Sequence, residues 1–194
     1  MSEPSVDPTA DRTPAILWTL GHSTKAWEEF LALLHSAQIQ AVADVRRFAA
    51  SRRHPQFASA HMSSALREAG IEYLPIPELG GRRSPRKDSP NTALRVAGFR
   101  GYADYMQTDA YQSASAWLAS RARSNRTAVM CAESLWWQCH RGLIADDFKS
   151  RGWRVLHLLK PGQPQEHPYT RAARIVDGRL DYSSPGSNSQ GSLL

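Results

Sequence analysis

Five short apolar segments alternate along the chain with segments whose apolar residues repeat at helical spacing, and this alternation restricts the fold more than any other feature. The apolar segments are residues 15–20, 39–45, 71–76, 127–130 and 155–159. Strands that alternate with amphipathic helices favour a mostly parallel sheet with helices on both faces. We therefore predict an α/β fold with an open, mostly parallel sheet of about five strands.

Turn residues predict where several of these elements end. Asp177-Gly178 lies between two short alternating runs within residues 174–182, which predicts a C-terminal β-hairpin. Gly70 is predicted to end the helix that precedes the third strand. Pro75 favours an edge position for that strand, because proline cannot donate a hydrogen bond to a neighbour.

Length and composition favour one domain. A chain of 194 residues can bury a core of its own, and we predict a disordered lead over 1–13, a single domain over 14–182 and a flexible tail over 183–194. No apolar run approaches the ~20 residues that cross a bilayer, so no membrane partner is expected. The acidic, proline-containing start does not resemble a signal peptide. Two cysteines do not form a disulfide framework, which favours a reducing, cytoplasmic location.

The charge of the chain indicates a class of partner. The formal net charge is +6 and the sequence pI is about 9.7. A basic balance favours a phosphate-bearing small molecule or a nucleic acid over an acidic protein surface role. Neither the cofactor nor the oligomeric state can be predicted from these data.

Both cysteines of the chain fall within one stretch of eleven residues, Cys131 to Arg141. An apolar run ends at Met130 just before this stretch, and a helical pattern over 141–148 follows it. A buried strand that ends on reactive side chains and leads to a helix N-terminus is where open α/β proteins commonly bind ligands. The stretch is therefore the predicted centre of a functional site.

Right-handed crossovers place the carboxyl ends of parallel strands at one edge of the sheet. That edge would collect Gly21-His22-Ser23, Asp44 with Arg46 and Arg47, Cys131 with Glu133, and His157. If the strand order is 3-2-1-4-5, the switch point lies between strands one and four. His22 and Cys131 are then expected to be neighbours.

Short motifs follow one another along the chain in a specific order. They are Gly21-His22-Ser23-Thr24, Asp44-Val45-Arg46, Ser51-Arg52, Pro55-Gln56-Phe57, Leu79-Gly80-Gly81, Phe99-Arg100-Gly101-Tyr102, Cys131-Ala132-Glu133 and Cys139-His140-Arg141. Together these motifs resemble those of an uncharacterised family known as domain of unknown function 488. The resemblance covers roughly residues 16–182, and it depends on the order of the motifs more than on any single one. One departure is Ala49, at a position where the family is expected to have proline. The resemblance implies an α/β domain and no particular reaction.

The candidate catalytic residues are Cys131, Glu133 and His22. A thiol at a strand end beside a helix N-terminus is favoured as a thiolate, which is the reactive form. Glu133 offers a carboxylate for acid–base chemistry and His22 a neutral base. The alternative for Cys131 is a buried cysteine that packs as a small apolar residue. Cys139 lies on the apolar face of the following helix, so packing is expected for it, and a redox partnership with Cys131 is the second interpretation.

The candidate substrate-binding residues are basic, aromatic or polar side chains at the same edge. Arginine suits bidentate recognition of phosphate, and aromatic side chains among arginines can stack bases. Asp44 and Arg46 alternate along a strand, so their side chains share one face and orient each other or a ligand. A solvated loop and a self-packed lid are the alternatives for the basic and aromatic residues. The predicted binding set is Ser23, Asp44, Arg46, Arg52, Gln56, Tyr102, Trp137, His140 and Arg141.

The spacing of the two cysteines and the residues around them argues against a zinc knuckle and a phosphatase loop. The seven residues between the two cysteines exceed the two to four typical of a zinc knuckle, so no metal ligand is predicted. A cysteine-phosphatase loop is excluded because residue 137, six after Cys131, is Trp where an Arg is required. The chain has no glycine-rich phosphate loop.

These residues lead to one main hypothesis and two alternatives. The main hypothesis is an enzyme that acts on a nucleotide or a nucleic-acid component. Cys131, Glu133 and His22 would carry the chemistry, and Arg46, Arg52 and Arg141 would form an anion clamp. The first alternative is a non-catalytic nucleic-acid-binding module. The second is a thiol redox or metal-dependent sensor.

Overall fold

A computed structural model describes residues 13–50 and 53–185 of the chain. The predicted lead and tail fall mostly outside these residues, and Arg52 lies outside them as well. Tyr182 and Ser183, which are described, are buried. Among the described helices, none combines the length and apolarity that crossing a membrane requires.

The strands form one mixed sheet and one separate hairpin. The sheet contains β1 (Ile16–Gly21), β2 (Ala41–Asp44), β3 (Glu72–Pro75), β4 (Thr127–Cys131), β5 (Arg154–Lys160) and β6 (Gln163–Glu166). The hairpin joins β7 (Arg174–Val176) to β8 (Arg179–Asp181) through the Asp177-Gly178 turn, with both turn residues at positive φ. The predicted α/β class, parallel sheet and C-terminal hairpin are confirmed.

The strand order is β3-β2-β4-β1-β5-β6, with β1 to β5 parallel and β6 antiparallel to β5. The predicted order 3-2-1-4-5 is therefore wrong, because β4 enters between β2 and β1. The sixth strand, which contains Pro164 and is exposed, was not predicted. The edge position of β3 is confirmed.

Within residues 13–50 and 53–185, five α-helices cover both faces of the sheet. They are α1 (Trp27–Ser36), α2 (Ser59–Glu68), α3 (Ala97–Met106), α4 (Asp109–Ser124) and α5 (Arg141–Ser150). One apolar core packs α1 and α2 against the sheet, and a second core packs α3, α4 and α5 against the opposite face. Gly70, at φ 71°, follows the end of α2 as predicted.

β4 lies where the connections between strands change from one face of the sheet to the other. The helix that follows β1 packs on one face, and the helix that follows β4 packs on the other. A crevice opens at the carboxyl ends of two adjacent parallel strands where their connections leave in opposite directions. Cys131 is the last residue of β4 and is paired in register with Gly21, the last residue of β1.

The basic loop between Gly81 and α3 is folded onto the domain by one carboxylate. Asp104, in α3, accepts hydrogen bonds from the Arg86 N–H at 2.8 Å, the Ser89 hydroxyl at 2.6 Å and the Asn91 amide at 2.8 Å. These bonds hold the pKa of Asp104 below its usual value even though burial acts in the other direction. The loop therefore has a defined path, which ends beside the sheet edge at Val96 and Phe99.

Candidate functional site

The loop that follows Cys131 crosses the end of β1, and the sequence allows this only because residue 21 is glycine. A Cβ atom at Gly21 would lie 1.7 Å from the Glu133 carbonyl oxygen. The β1–β4 ladder continues into the loop, where the His22 N–H donates to the Cys131 carbonyl at 3.0 Å and the Ser23 N–H donates to the Ala132 carbonyl at 2.8 Å. The backbones of His22 and Cys131 are therefore in contact, which confirms that the two residues are neighbours, as predicted.

The two cysteines meet in the core behind this loop. A short 3-10 turn, Trp136–Gln138, returns the chain so that Cys139 lies just before α5. Its Sγ is 2.8 Å from Sγ of Cys131, and the two residues are 2% and 0% exposed. Burial, and then the contact with Cys131, raise the pKa of Cys139 well above its usual value. Cys139 packs in the core as expected, and it also contacts the candidate reactive thiol.

Arg141 is the largest completely buried side chain, and sulfur is its main polar contact. Its Nη1 lies 3.3 Å from Sγ of Cys131, and its Nη2 donates to the Ser134 carbonyl at 3.0 Å. Its backbone N–H donates to Sγ of Cys139 at 3.4 Å. No carboxylate within 13–50 or 53–185 forms an ion pair with this guanidinium, and its Nε has no hydrogen-bond partner there. A full positive charge therefore lies against the sulfur pair.

Glu133 and His140 complete this cluster. The Glu133 carboxylate is exposed on one side, and hydrogen bonds from Cys139 and Cys131 lower its pKa although burial opposes this. Nδ1 of His140 is 3.4 Å from Sγ of Cys139, and Nε2 is 3.2 Å from the Val45 carbonyl. A carbonyl only accepts, so Nε2 carries the hydrogen and the Nδ1 lone pair faces Cys139. Burial lowers the pKa of His140 to about 4, which keeps the ring neutral at pH 7.

Arg46 lies at the end of the neighbouring strand and has a conventional partner. Its Nε donates to Asp44 at 2.8 Å and its Nη2 donates to the other carboxylate oxygen at 2.5 Å. Its Nη1 lies 3.1 Å from Nε2 of His22. Nδ1 of His22 contacts the Ser23 carbonyl at 2.9 Å, so Nδ1 carries the hydrogen and Nε2 accepts from Arg46. Burial, followed by the charge of Arg46, lowers the pKa of His22 to about 4.

Two other predicted binding residues lie near the edge in structural contacts. The Gln56 amide donates to the Lys25 carbonyl at 3.2 Å, which ties the segment before α2 to the turn after β1. Ser23 is half-buried at a φ of 48°, in the left-handed region that favours turns. These two residues shape the turns around the edge.

The predicted aromatic residues differ in accessibility. Tyr102 is completely buried, its hydroxyl donates to the Leu79 carbonyl at 2.7 Å, and its ring centroid is 4.9 Å from that of His140. Trp137 is 49% exposed and packs edge-on against Trp136. Tyr102 thus supports His140 from within the core, while Trp137 is free to contact a ligand.

Two adjoining cavities open at the sheet edge. The first has a volume of about 460 Å³ and reaches both cysteines, and the second has a volume of about 440 Å³ and reaches His22 and Ser23. They share Arg46, Phe48, Ala50, Arg82 and Ala132, so they form one groove across the ends of β1, β4 and β2. Arginine dominates the charge of this groove. Arg46, Arg47 and Arg82 line the first cavity together with the Glu133 carboxylate, and Arg46, Arg53 and Arg82 line the second.

A third cavity of about 750 Å³ lies on the other side of Phe99. Val96, Phe99 and Cys139 border both this cavity and the first one. Trp136 and Trp137 form part of its wall, together with Arg95, Arg171 and Arg174. The sulfur pair is therefore close to cavities on both sides.

A chain of buried polar groups beside the sulfur pair was not predicted. Thr19 Oγ1 lies 2.7 Å from Nδ1 of His157, whose Nε2 is 2.9 Å from Nδ1 of His167. Nε2 of His167 is 3.0 Å from Asp146, which also accepts from the Tyr182 hydroxyl at 2.8 Å. His157 is thus buried in mid-strand opposite Thr19, not at the carboxyl edge as expected.

This chain connects the sheet to the C-terminal segments of the fold. Burial lowers the pKa of His157 to about 2, and the Trp136 ring stacks on it at a centroid distance of 4.7 Å. The sequence gives one indication of this chain of polar groups, which is an acidic residue, Asp146, within the apolar face of α5. Its partner His167 lies in a segment without periodic pattern, so the pairing could not be read from the sequence.

Fold and site together define an α/β protein with a paired-thiol centre at the carboxyl edge of a mainly parallel sheet. The model of the family described as "Domain of unknown function DUF488" matches residues 26–147, and the chain belongs to this family. No curated protein and no solved structure matched the chain. The predicted family is thereby confirmed, and the activity has to be inferred from the site itself.

Proposed function

We propose that this protein is an enzyme that acts on a phosphate-bearing substrate, such as a nucleotide or a nucleic-acid component. The observation that carries this proposal is the 460 Å³ cavity, because it joins two buried thiols and the Glu133 carboxylate to a rim of arginines. A groove with one carboxylate and several guanidinium groups attracts anions. A non-catalytic binding surface would not need the thiols and the acid at its floor.

The anion contacts are assigned to the exposed arginines of the rim. Arg47 and Arg82 are exposed and next to each other, because Nη1 of Arg47 donates to the Arg82 carbonyl at 2.9 Å. No carboxylate of the described ranges pairs with either of them, or with Arg53 in the adjoining cavity. Unpaired guanidinium groups are suited to bidentate phosphate contacts.

Arg46 and Arg141, the two members of the predicted clamp that the structure describes, are assigned a different role. Arg46 is bound by Asp44 and His22, and Arg141 is enclosed with the sulfur pair. Neither side chain has to leave its partners for a substrate to bind. We therefore assign them the role of positioning residues, and the direct contacts pass to Arg47 and Arg82.

Glu133 is the group assigned to proton exchange with the substrate. Its carboxylate is exposed on the cavity wall and its lowered pKa keeps it ionised at neutral pH. A general acid or base has to reach the substrate directly or through one water. His22 is neutral with its Nε2 lone pair directed at Arg46, so its role is to fix that guanidinium.

The distance between the sulfurs favours a second candidate, a dithiol redox site. At 2.8 Å the two Sγ atoms are close enough to form a disulfide with small movements. With hydrogen peroxide as oxidant, the two thiols would lose two electrons and two protons, and the peroxide would leave as two waters. Thiol titration of denatured protein before and after peroxide tests it: full retention of both thiols contradicts the redox site.

The proposed function is tested first by binding. We expect nucleoside mono- and diphosphates to bind in calorimetric titrations more tightly than their nucleosides. The variant Arg47→Ala combined with Arg82→Ala should weaken binding by about 10–100-fold, since hydrogen bonds to charged groups contribute roughly 1.5–3 kcal/mol. Arg67→Ala, which removes an exposed arginine from α2, is the matched control and should bind as the wild type does.

Turnover is tested with Glu133→Gln. A panel of nucleotides and oligonucleotides is incubated with wild-type protein and scored by mass spectrometry for new products. We expect a product that Glu133→Gln does not form while its phosphate affinity is retained. Binding without any product, with an affinity that falls steeply and log-linearly as salt rises, would instead support the nucleic-acid-binding module.

A further inference from the structure

Three side chains after the end of β4 bring metal-ligand atoms together. Sγ of Cys131, Sγ of Cys139 and a carboxylate oxygen of Glu133 all lie within 4.8 Å of one another. Thiolate ligands select zinc over magnesium or calcium, and zinc sites also accept carboxylate oxygen. We propose that Cys131, Glu133 and Cys139 bind one zinc ion, with one carboxylate oxygen of Glu133 as the ligand and the other left free to exchange a proton with the substrate.

The charge of the surrounding protein fits this ion. Two thiolates and one carboxylate bring three negative charges, zinc brings two positive charges, and the Arg141 guanidinium brings the last one. The assembled centre is then neutral, and Arg141, which has no carboxylate partner among the described residues, gains its counter-charge. With a disulfide or two neutral thiols, the sulfur that Nη1 of Arg141 contacts would carry no negative charge, and a buried guanidinium without an anion in direct contact is costly.

Donors around the sulfurs are placed as the outer shell of such a site requires. Cys131 receives Nη1 of Arg141 at 3.3 Å, and Cys139 receives the Arg141 backbone N–H at 3.4 Å. Outer-shell hydrogen bonds of this kind orient the ligands and tune the metal.

The three ligands leave one position free on the cavity side. Zinc–sulfur bonds of about 2.3 Å hold two sulfurs roughly 3.7 Å apart in a tetrahedral site, so binding spreads the pair from its 2.8 Å separation. All three ligand residues border the 460 Å³ cavity. Three protein ligands with an open fourth position are typical of catalytic zinc, and a water or a substrate oxygen would take that position.

Cobalt(II) is the probe for this site, because it replaces zinc and reports thiolate ligation by colour. Reduced protein is stripped with a chelator and titrated with cobalt(II) chloride. We expect one cobalt per chain, a thiolate-to-cobalt charge-transfer band, visible bands of a tetrahedral ion, and loss of these bands on addition of zinc chloride. Elemental analysis of the purified protein should then find zinc in the same proportion.

Variants identify the ligands. Cys131→Ser and Cys139→Ser should each weaken cobalt binding by at least about 100-fold, since even outer-shell partners contribute about 10–100-fold in metal affinity. Glu133→Gln should weaken it by at least about 10-fold. Glu28→Gln, at an exposed acid in the first turn of α1, is the matched control and should bind as the wild type does.

The zinc site is wrong if reduced wild-type protein develops no stoichiometric cobalt bands, or if Cys131→Ser, Cys139→Ser and Glu133→Gln all bind cobalt as tightly as the wild type. Circular dichroism checks the fold of each variant. Should a cysteine variant fail to fold, Glu133→Gln decides the question, because its exposed side chain is replaced by an isostere. Reduced protein that develops the cobalt bands but binds no inorganic phosphate in calorimetric titration would count against the proposed substrate class and not against the metal.

Discussion

Arg46 and Arg141 are both buried at the carboxyl edge of the sheet, on segments that follow neighbouring strands, yet their surroundings differ. Arg46 is bound by both oxygens of Asp44 and by His22, so its charge is compensated within the fold. Arg141 faces two sulfurs and a carbonyl, and no carboxylate of the described chain is paired with it.

This difference separates structural stabilisation from chemistry. A buried charge that already has its counter-ion is expected to have a structural role, because loss of either partner destabilises the fold. A buried charge that lacks one indicates a site whose ionic state changes, because a thiolate, a metal or both complete it. Mutations around Arg46 should therefore change mainly the stability of the fold. Mutations around Arg141 should change mainly the chemistry of Cys131.

The largest effect is expected at the compensated arginine. Asp44→Asn leaves the Arg46 guanidinium buried without a counter-charge and should lower the free energy of unfolding by about 3–5 kcal/mol, measured by urea denaturation. The control is Glu72→Ala, which breaks the exposed ion pair with Arg121 and should cost at most about 1 kcal/mol. Equal losses of unfolding free energy in the two variants would show that the buried Asp44–Arg46 ion pair stabilises the fold no more than an exposed pair does.

Acid should destabilise the same region through His22. The pKa of His22 is about 4 in the folded protein against 6.5 in the unfolded chain. Above pH 6.5 both states are neutral and the stability is complete. As the pH falls from 6.5 towards 4, the unfolded state takes up a proton that the folded state does not, so stability decreases by up to about 1.4 kcal/mol per pH unit and about 3 kcal/mol in all.

The variant His22→Gln isolates this contribution. Glutamine can donate to Ser23 and accept from Arg46 without gaining a charge, so we expect a smaller loss of stability between pH 6.5 and pH 4. Urea denaturation at several pH values measures it, with His35→Gln on the exposed side of α1 as the control. An unchanged pH profile in His22→Gln would show that His22 does not carry the acid response.

A smaller loss of stability is expected at the uncompensated arginine. Arg141→Met leaves no unpaired carboxylate behind and fills similar space, so it should cost no more than about 2 kcal/mol. Its main effect should be chemical: cobalt(II) should bind the reduced variant about 10-fold more weakly than the reduced wild type, because a hydrogen-bond donor to the ligand Cys131 is gone. A stability loss as large as that of Asp44→Asn, with cobalt affinity unchanged, would reverse the comparison.

The smallest change in stability is expected at the cavity rim. Arg47→Ala removes an exposed side chain and should change the free energy of unfolding by no more than about 0.5 kcal/mol. Phosphate affinity should nevertheless drop by roughly 10-fold, as expected for one lost hydrogen bond to a charged group. If phosphate affinity is unchanged, Arg47 is not an anion contact.

The sequence predicted those parts of the site that depend on local pattern. The apolar run that ends just before Cys131 identified β4 and its carboxyl end, because a short continuous apolar segment is typical of a buried strand. Asp44 and Arg46, two residues apart on one strand, were predicted to orient each other, and the structure shows that contact. The Asp177-Gly178 hairpin followed from turn chemistry in the same way.

The parts that the sequence did not predict depend on contacts between distant segments. Nothing in the local pattern places β4 between β2 and β1, because strand order is set by how the crossovers pack. Asp146 and His167 are twenty-one residues apart in the chain and meet at 3.0 Å through the packing of α5 against the segment after β6. Periodicity carries no information about such a contact.

By itself, the sequence determined the class of fold, the family and the strand end that carries Cys131 and Glu133, since all of these follow from short-range pattern. Only the tertiary structure decided what those side chains do to one another. It brought Cys139 onto Cys131 through a single 3-10 turn, and it enclosed Arg141 beside them without a carboxylate. The physical reason is burial: in the low-dielectric interior a charge depends on its nearest partners, and those partners are chosen by the fold.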